Sequence, residues 1–480
     1  MKKEGKKTNK ARNLLIVALC IVCFVMGLCV PMAFQRVNIA ADSMEKQKFE
    51  SIFSLLTNDW YFRDEVENVE TTLLEKAITG MTNLEEDPHT NYFNLEQAQN
   101  YSHSLAGSNV GVGFSYYLNS DNNFAIKQVF INSPAEKAGL RYRDVIVQVG
   151  DLVCAQSESA DIVSFIKSKE GKEIEVKYLR DGQEQVAKIV PASYDQTIVC
   201  EIIDDYAIIS VSSFSEDTGK DFAVAMGRVQ DAGIKNIIID LRNNTGGYLV
   251  AAVDIASSLV ESGSIVIYDE TKEGERTEYR TNDTYAQVKL DQIVVLQNGN
   301  SASASEALIG TLKDLEGDKL TTVGTNTYGK GTEQTSIAFS DGTSMKYTIA
   351  KWYSPKGTNI DGIGWAPDVE VVQEKVKTVG YIDLEKDDII QADSVHTNGT
   401  ALQMYLQYLG YEVDRTDQYF SLVSSNSLAK FQQDHGLEAT GNCDQKTWEL
   451  LKNQILIKMG DDGREGDIQL QTAISCFKKP

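Results

Sequence analysis

Histidine is nearly absent from this chain: of 480 residues only His89, His103, His396 and His435 carry an imidazole. None lies between residues 191 and 375, so a histidine-based triad has no support from position there. Cysteine is sparse and scattered. Cys20, Cys23 and Cys29 fall in one apolar run and read as small apolar residues. Cys154, Cys200, Cys443 and Cys476 are far apart, and no Cys-x-x-Cys finds a second one at zinc spacing, so no metal or other cofactor is expected. Positive charge is also in deficit: 46 Lys and Arg against 69 Asp and Glu leave a net charge of -23. Such a chain repels phosphate backbones, which argues against nucleic acid as a partner.

What is present points to an ordinary globular protein, with 42% hydrophobic and 24% charged residues and a length beyond one core. The few cations are unevenly placed. Lys2, Lys3, Lys6, Lys7, Lys10 and Arg12 make a basic tail over 1–13, and the uncharged apolar run Leu14 to Phe34 follows. About 20 apolar residues cross a bilayer, and a basic flank stays on the cytoplasmic side. Residues 14–34 are therefore read as a single-pass cell-membrane anchor with the rest of the chain outside. The rival is a cleaved signal peptide, for which the run is long and the site at Ala40-Ala41 a poor match.

Beyond the anchor the texture changes several times. Residues 45–105 read as helical, with Phe49, Ile52, Phe53, Leu55, Leu56 and Trp60 at helical intervals and a second helix from about Val69 to Met81. This region is a candidate homodimerisation element. Residues 107–190 shift to short strands and turns. Gly111-Val112-Gly113-Phe114, then SPAEKAGL from Ser133 and DVIVQVGD from Asp144, resemble a PDZ domain, whose glycine loop binds a peptide carboxylate and whose strand edge accepts the peptide. Residues 191–375 alternate strands with helices. The apolar strands 236–241 and 292–296 and the helices 250–259 and 306–315 predict an α/β core with a mostly parallel sheet. Residues 395–455 carry Leu409-Gly410-Tyr411, Phe431-Gln432, Gly436-Leu437, Thr440-Gly441 and Thr447-Trp448, which resemble the three-helix peptidoglycan-binding module of cell-wall enzymes.

A hydrolytic nucleophile sits well at a strand-to-helix turn, where the unpaired N–H groups of the new helix can hold an oxyanion. Two segments offer this: Asn298 to Glu306, which contains SASASE, and Asp240 to Gly247, which ends in a glycine pair. Ser303 and Glu306 also spell a capping box, so the serine alone has a purely structural reading. With no histidine at hand, a lysine made neutral by burial can serve as base. Lys330, flanked by Gly329 and Gly331, is the candidate. Two decoys are set aside. Gly324 to Gly331 falls one residue short of a Walker A loop and precedes a strand rather than a helix. Ser164 to Lys167 is an isolated S-x-x-K without its companion motifs.

SASASE, followed by Tyr328-Gly329-Lys330-Gly331-Thr332-Glu333-Gln334, preceded by DLRNNTGG and trailed by Gly364-Trp365-Ala366-Pro367-Asp368-Val369-Glu370, resembles the carboxyl-terminal processing peptidases, or tail-specific proteases. The likeness covers about residues 45 to 455 and fits a bacterial branch with PDZ and peptidoglycan-binding domains. It implies a multidomain α/β protein: a helical N-terminal region, a PDZ-like β-rich domain, a serine protease core and a small three-helix C-terminal module. It implies a Ser–Lys dyad with Ser303 as nucleophile, Lys330 as base and Gln334 beside the lysine. Its oxyanion donors map to the backbone of Ala304 and of the pair Gly246 and Gly247, with the choice of glycine left open. The implied substrate is a protein or peptide with a free C-terminus, and peptidoglycan is a further partner. Two departures stand out. The segment 306–329 is about two residues longer than the family pattern, near Glu316-Gly317-Asp318, and Thr325-Asn326 replaces the usual Glu-Pro. The alternatives are a catalytically silent, wall-attached PDZ scaffold and a peptidoglycan hydrolase, the latter without a metal or paired-carboxylate motif.

Overall fold

The computed structural model describes residues 43–477, so the basic tail and the apolar run 14–34 lie outside the described residues. Among the described residues no helix is long and apolar enough to cross a membrane. The chain divides into two compact units between Tyr92 and Phe93.

The first unit holds α1 (Met44–Asn58) and α2 (Val69–Thr82). Ser43 caps α1 by accepting the Lys46 N–H, and the helix leaves Phe49, Ile52 and Leu55 about half exposed. The expected helical stretch continues into the second unit as α3 (Leu95–Ala106), whose capping box pairs Asn94 with Gln97.

In the second unit a six-stranded antiparallel sheet comes first: β1 (Phe114–Leu118), β2 (Phe124–Val129), β3 (Val145–Val149), β4 (Ile174–Arg180) and β5 (Gln183–Ile189), with the two-residue strand Leu152–Val153 beside β3. A one-turn helix α4 (Pro134–Lys137) and the longer α5 (Ser159–Ser168) accompany it. Their apolar faces close one core around Phe124, Ile126, Ile146, Ile162 and Ile189. Strand β1 is an edge strand of the sheet, the position at which a peptide can add as a further strand. Gly113 leads into it at φ +90°, and a Cβ there would strike the Ser133 side chain, so only glycine fits. This array is docked on the next domain. Arg228 pairs with Glu136, Asn132 Nδ2 donates to Asp221 at 2.7 Å, and Ile131 N–H donates to Ile198 at 3.0 Å.

The core strands are β6 (Ile198–Ile203), β7 (Tyr206–Val211), β8 (Asn236–Asp240), β9 (Ile265–Thr271), β10 (Arg276–Arg280), β11 (Gln292–Gln297), β12 (Leu320–Gly324), β13 (Thr332–Ala338), β14 (Ser344–Tyr353) and β15 (Val369–Glu370). The central sheet runs β6-β7-β8-β11-β12-β15, parallel except for the edge strand β6. Ile237, Ile238 and Ile239 of β8 have no exposed surface, as a strand covered on both faces requires. Each contributes about 1.5–3 kcal/mol by leaving water. Helices α6 (Thr218–Asp231), α7 (Leu249–Leu259) and α8 (Ala304–Leu315) cover one face. The antiparallel strands β13, β14, β9 and β10 form a second sheet beside it.

The C-terminal module holds α9 (Gly399–Tyr408), α10 (Leu422–Asp434) and α11 (Gln445–Asp462) around the buried Trp448, Phe431 and Phe420. Its last helix runs past the expected end at 455. A further helix, α12 (Ile468–Ser475), returns to the core and lays Leu470 and Ala473 on Ile208, Ile238, Val294, Leu296 and Val323. The second face of the central sheet is therefore covered by the end of the chain.

Candidate active site

The serine turn follows β11, and the glycine turn follows the adjacent strand β8, so the sheet itself brings both together. Within SASASE the three serines differ. The Ser301 hydroxyl is buried and bonds Leu241 O at 2.8 Å, and that of Ser305 is buried and bonds Asn244 O at 2.9 Å. Ser303 is only half-buried. Its backbone sits at φ 56°, ψ -115°, a conformation that L-residues rarely adopt and that costs on the order of 1–3 kcal/mol. The capping box expected here is formed in outline only. Glu306 Oε2 accepts the Ser303 N–H at 2.9 Å, while the Ser303 hydroxyl makes no capping bond of regular geometry.

The glycine turn closes on this serine. Gly246, at φ 102°, lies so near that a Cβ would come within 2.8 Å of Ser303 Cβ and of Ala302 O. Its N–H, however, donates to Asn244 Oδ1 at 2.8 Å. The Gly247 N–H and the Ala304 N–H, the latter opening α8, find no acceptor among the described residues. Of the two glycines, Gly247 thus keeps the open donor. Asn244 is fully buried and ties three pieces. Its Nδ2 donates to Val211 O at 2.7 Å, its Oδ1 fixes Gly246, and its carbonyl takes the Ala302 N–H at 3.0 Å.

Glu306 joins the serine to the lysine. Its carboxylate has no exposed surface and accepts four hydrogen bonds. Oε1 takes the Thr327 hydroxyl and the Gly329 N–H, both at 2.6 Å. Oε2 takes the Ser303 N–H at 2.9 Å and the Lys330 N–H at 2.8 Å. One oxygen atom therefore holds both backbones, within two hydrogen-bond lengths of each other. Burial pushes the Glu306 carboxyl up, and these donors pull against it. Lys330 itself is half-buried, and its carbonyl accepts Trp352 Nε1–H at 3.0 Å.

The rest of the lysine loop is pinned by the segment 359–365. Thr327 Oγ1 accepts the Trp365 N–H at 2.7 Å, and Gly362 N–H donates to Gly329 O at 2.8 Å. Asn326, at the position that departs from the family pattern, donates to Ile363 O at 2.7 Å and so belongs to this brace. Residues 316–319 form the turn between α8 and β12. Gln334 stands at a β-bulge, and its Nε2 donates to Thr332 and Thr348 at 2.9 and 3.2 Å. In the β-rich domain, Val112 O accepts the Ala135 N–H and Gly113 O the Phe130 N–H, while the N–H groups of Val112 and Gly113 have no acceptor among the described residues. Gly111 pairs with Ala192, and Phe114 opens β1. His396 and His435 make only local bonds in the C-terminal module.

Sequence reasoning overlooked Glu306 as a hub, Asn244, and a carboxyl pair close to Lys330. Glu333 faces Asp269 on β9. The Tyr279 hydroxyl lies 3.4 Å from Asp269 Oδ2 and 3.3 Å from Glu333 Oε1, and no donor among the described residues reaches the buried Glu333 Oε2. Burial, then the neighbouring Asp269, push the Glu333 carboxyl up to about 7. With its folded-state value above the ordinary one, the stability it lends is fully present in acid and is lost as pH rises through about 7. Glu333→Gln, neutral throughout, is expected to flatten the fall in melting temperature between about pH 5 and pH 8. Melting curves that fall in parallel for the two proteins would show that the pair shares no proton.

Three family models match this chain: peptidase family S41 over residues 205–371, a PDZ domain over 126–180 and a peptidoglycan binding domain over 395–451. A "Probable CtpA-like serine protease" of Staphylococcus aureus (strain COL) is 30% identical over 407 residues, spanning 85% of this chain and 80% of that one. One of the same description from Staphylococcus haemolyticus is 28% identical over 418 residues, spanning 87% and 82%. Among solved structures, the photosystem II D1 C-terminal processing protease is matched over 68% of this chain and 86% of that one, at 22% identity and a TM-score of 0.35.

Proposed function

This chain belongs to the CtpA-like serine proteases of peptidase family S41, and from that premise we propose that it is a membrane-anchored endopeptidase acting through Ser303 and Lys330 on the carboxyl-terminal region of exported polypeptides. The observation that carries the reading is the single Glu306 oxygen that accepts both the Ser303 and the Lys330 N–H. It ties a serine in a strained turn to the one lysine of the adjoining loop.

In this mechanism neutral Lys330 takes the proton of Ser303 as Oγ attacks the scissile carbonyl carbon. The carbonyl oxygen becomes an oxyanion held by the N–H groups of Ala304 and Gly247. The C–N bond then breaks, Lys330 returns the proton to the departing amine, and an ester remains on Ser303. Water, deprotonated by the same lysine, attacks the ester and frees both acid and serine. Gln334 has spent its donor on two threonines, so what it offers the lysine is Oε1, an acceptor for the ammonium that forms. Because the lysine must start neutral, turnover rises toward alkaline pH.

The PDZ domain holds the substrate's terminal carboxylate at the free N–H groups of Val112 and Gly113, with the peptide added along β1. The peptidoglycan-binding module keeps the enzyme at the wall. The basic tail and the run 14–34 place the catalytic part outside, which membrane fractionation of the full chain tests. The function itself is tested with an unstructured peptide carrying either a free or an amidated C-terminus. Amidation is expected to lower kcat/KM about tenfold, the worth of roughly one charge-assisted hydrogen bond. Equal cleavage of the two peptides would remove the tail-recognition part of the reading.

A further inference from the structure

Residues 452–477 lie beyond all three family matches. They form an arm that touches each of the other parts of the second unit. Near the end of α11, Gly460 faces the ring of Tyr117 on β1 so closely that a Cβ would approach it to 2.4 Å. Arg464 lies over the Tyr142 ring at 4.6 Å and pairs with Glu201 on β6. The arm then reaches the glycine turn. Asp467 caps α12 by accepting the Leu470 N–H at 3.0 Å and takes Gln373 Nε2 at 3.1 Å. With its remaining capacity it grips Arg242, Nη1 to Oδ1 at 2.9 Å and Nη2 to Oδ2 at 2.9 Å.

Arg242 belongs to DLRNNTGG. Its other contacts go to Asp240 at the end of β8, Nε to Oδ1 at 2.9 Å and Nη2 to Oδ2 at 2.6 Å, and to Gln469 on α12, Nη1 to Oε1 at 3.2 Å. The guanidinium is thus clamped between a strand end and the arm, with only 15% of its side chain exposed. Two residues on is Asn244, which sets Gly246 against Ser303 and leaves Gly247 its open N–H. Asn243 between them is locked to the serine turn, its N–H on Asn298 Oδ1 at 3.0 Å and its Oδ1 on Asn298 and Asn300. Arg242, Asn243, Asn298, Asn300 and Asp467 line one cavity of about 930 Å³, so arm and reaction turns share a wall.

We propose that Asp467 is a positioning residue for catalysis: through Arg242 it fixes the glycine turn that presents Gly247 to the oxyanion, and so makes the chain beyond the peptidoglycan-binding module part of the catalytic unit. The inference rests on the Ser303 reading of the site. Burial pushes the Asp467 carboxyl up, but Arg242 first, with the Leu470 N–H and Gln373, outweighs this and holds it below the ordinary carboxylate range, so it is charged at working pH. An ion pair that is mostly buried keeps its strength, and a small shift of the donor it positions is felt in the transition state rather than in substrate binding.

The test uses the full chain with Asp467→Ala, Asp467→Asn, Leu470→Ala and Ser303→Ala, assayed at a temperature where each is folded. Asp467→Ala is expected to lower kcat about tenfold with KM nearly unchanged, and to slow fluorophosphonate labelling of Ser303 to match. Asp467→Asn keeps the helix cap and is expected to show the same kcat-selective loss at smaller size, which serves if the alanine variant fails to fold. Leu470→Ala removes apolar cover from the sheet and is expected to lower the melting temperature while leaving kcat alone. Wild-type kcat and labelling in Asp467→Asn, or a kcat loss in Leu470→Ala equal to that of the Asp467 variants, overturns the proposal. Ser303→Ala separates this failure from a wider one, since cleavage that survives it removes the underlying reading instead.

Discussion

Ser303→Ala abolishes cleavage of an unfolded protein such as β-casein while leaving the fold intact. Loss of an acyl-forming serine costs on the order of 10⁶ in kcat, which puts the variant below detection. Stability should hardly change, because the hydroxyl makes no regular capping bond to α8. The same position offers an opposite-sign companion. Ser303 holds φ at 56°, which alanine also resists but glycine does not. Ser303→Gly should therefore be inactive and more stable than Ser303→Ala, by about 1 kcal/mol. A thermal melt of the two variants checks this. A glycine variant that melts at or below the alanine one would mean that the turn carries no strain, and with it would go the argument that Ser303 is held ready by the fold. The neighbouring Ser301 and Ser305 make contrasting controls. Their buried hydroxyls bond Leu241 O and Asn244 O, so they are parts of the turn rather than of the chemistry.

Glu306→Ala is expected to have the largest effect on stability and to remove activity with it. Four donors converge on this carboxylate: the Thr327 hydroxyl and the N–H groups of Gly329, Lys330 and Ser303. An orphaned buried donor costs about 1–3 kcal/mol, so even partial rescue by water leaves a loss of roughly 4 kcal/mol or more. That is a large part of the 5–15 kcal/mol that holds a typical domain together. Glu306→Gln separates the two effects. It fills the same volume but removes the charge and sets an NH₂ against a donor at one of the two oxygen positions, so the serine and lysine turns are held less firmly even where the domain still folds. Its fluorophosphonate labelling below the melting temperature should be slowed at least about 100-fold, as for a misplaced reacting group. Labelling at the wild-type rate in Glu306→Gln would show that the shared oxygen does not align the pair.

Much of this was legible in the sequence, and for identifiable reasons. Strands β8 and β11 stand out because burial on both faces leaves unbroken apolar runs, and the expected ends at 241 and 296 are each one residue from those observed. Helix α7 begins one residue earlier than expected, since Leu249 at the end of a glycine loop carries no local start signal, and α8 begins two earlier, at the residue after the Ser303 of the capping box. The β-rich domain and the module were carried by motifs. What stayed hidden is tertiary. The S-x-x-E spacing correctly paired Glu306 with Ser303, but nothing local tells that the same carboxylate also reaches Gly329 and Lys330. The choice between Gly246 and Gly247 depends on where the Asn244 side chain turns. Helix α12 is short, and its apolar pattern of Leu470, Ala473 and Ile474 gains meaning only against the sheet face it covers. Gln334 lies in a strand whose bulge, not its sequence, aims its amide at Thr332 and Thr348.

In the proposed mechanism Ser303 reacts because Lys330 takes its proton. The direct measurement is fluorophosphonate labelling of the full chain and of Lys330→Met as a function of pH, with the adduct located by peptide mass spectrometry. A single adduct is expected on the peptide that contains Ser303, with a labelling rate that climbs toward alkaline pH in the wild type and is lost in Lys330→Met. An adduct on another serine, or a Lys330→Met protein that labels at the wild-type rate, would contradict it.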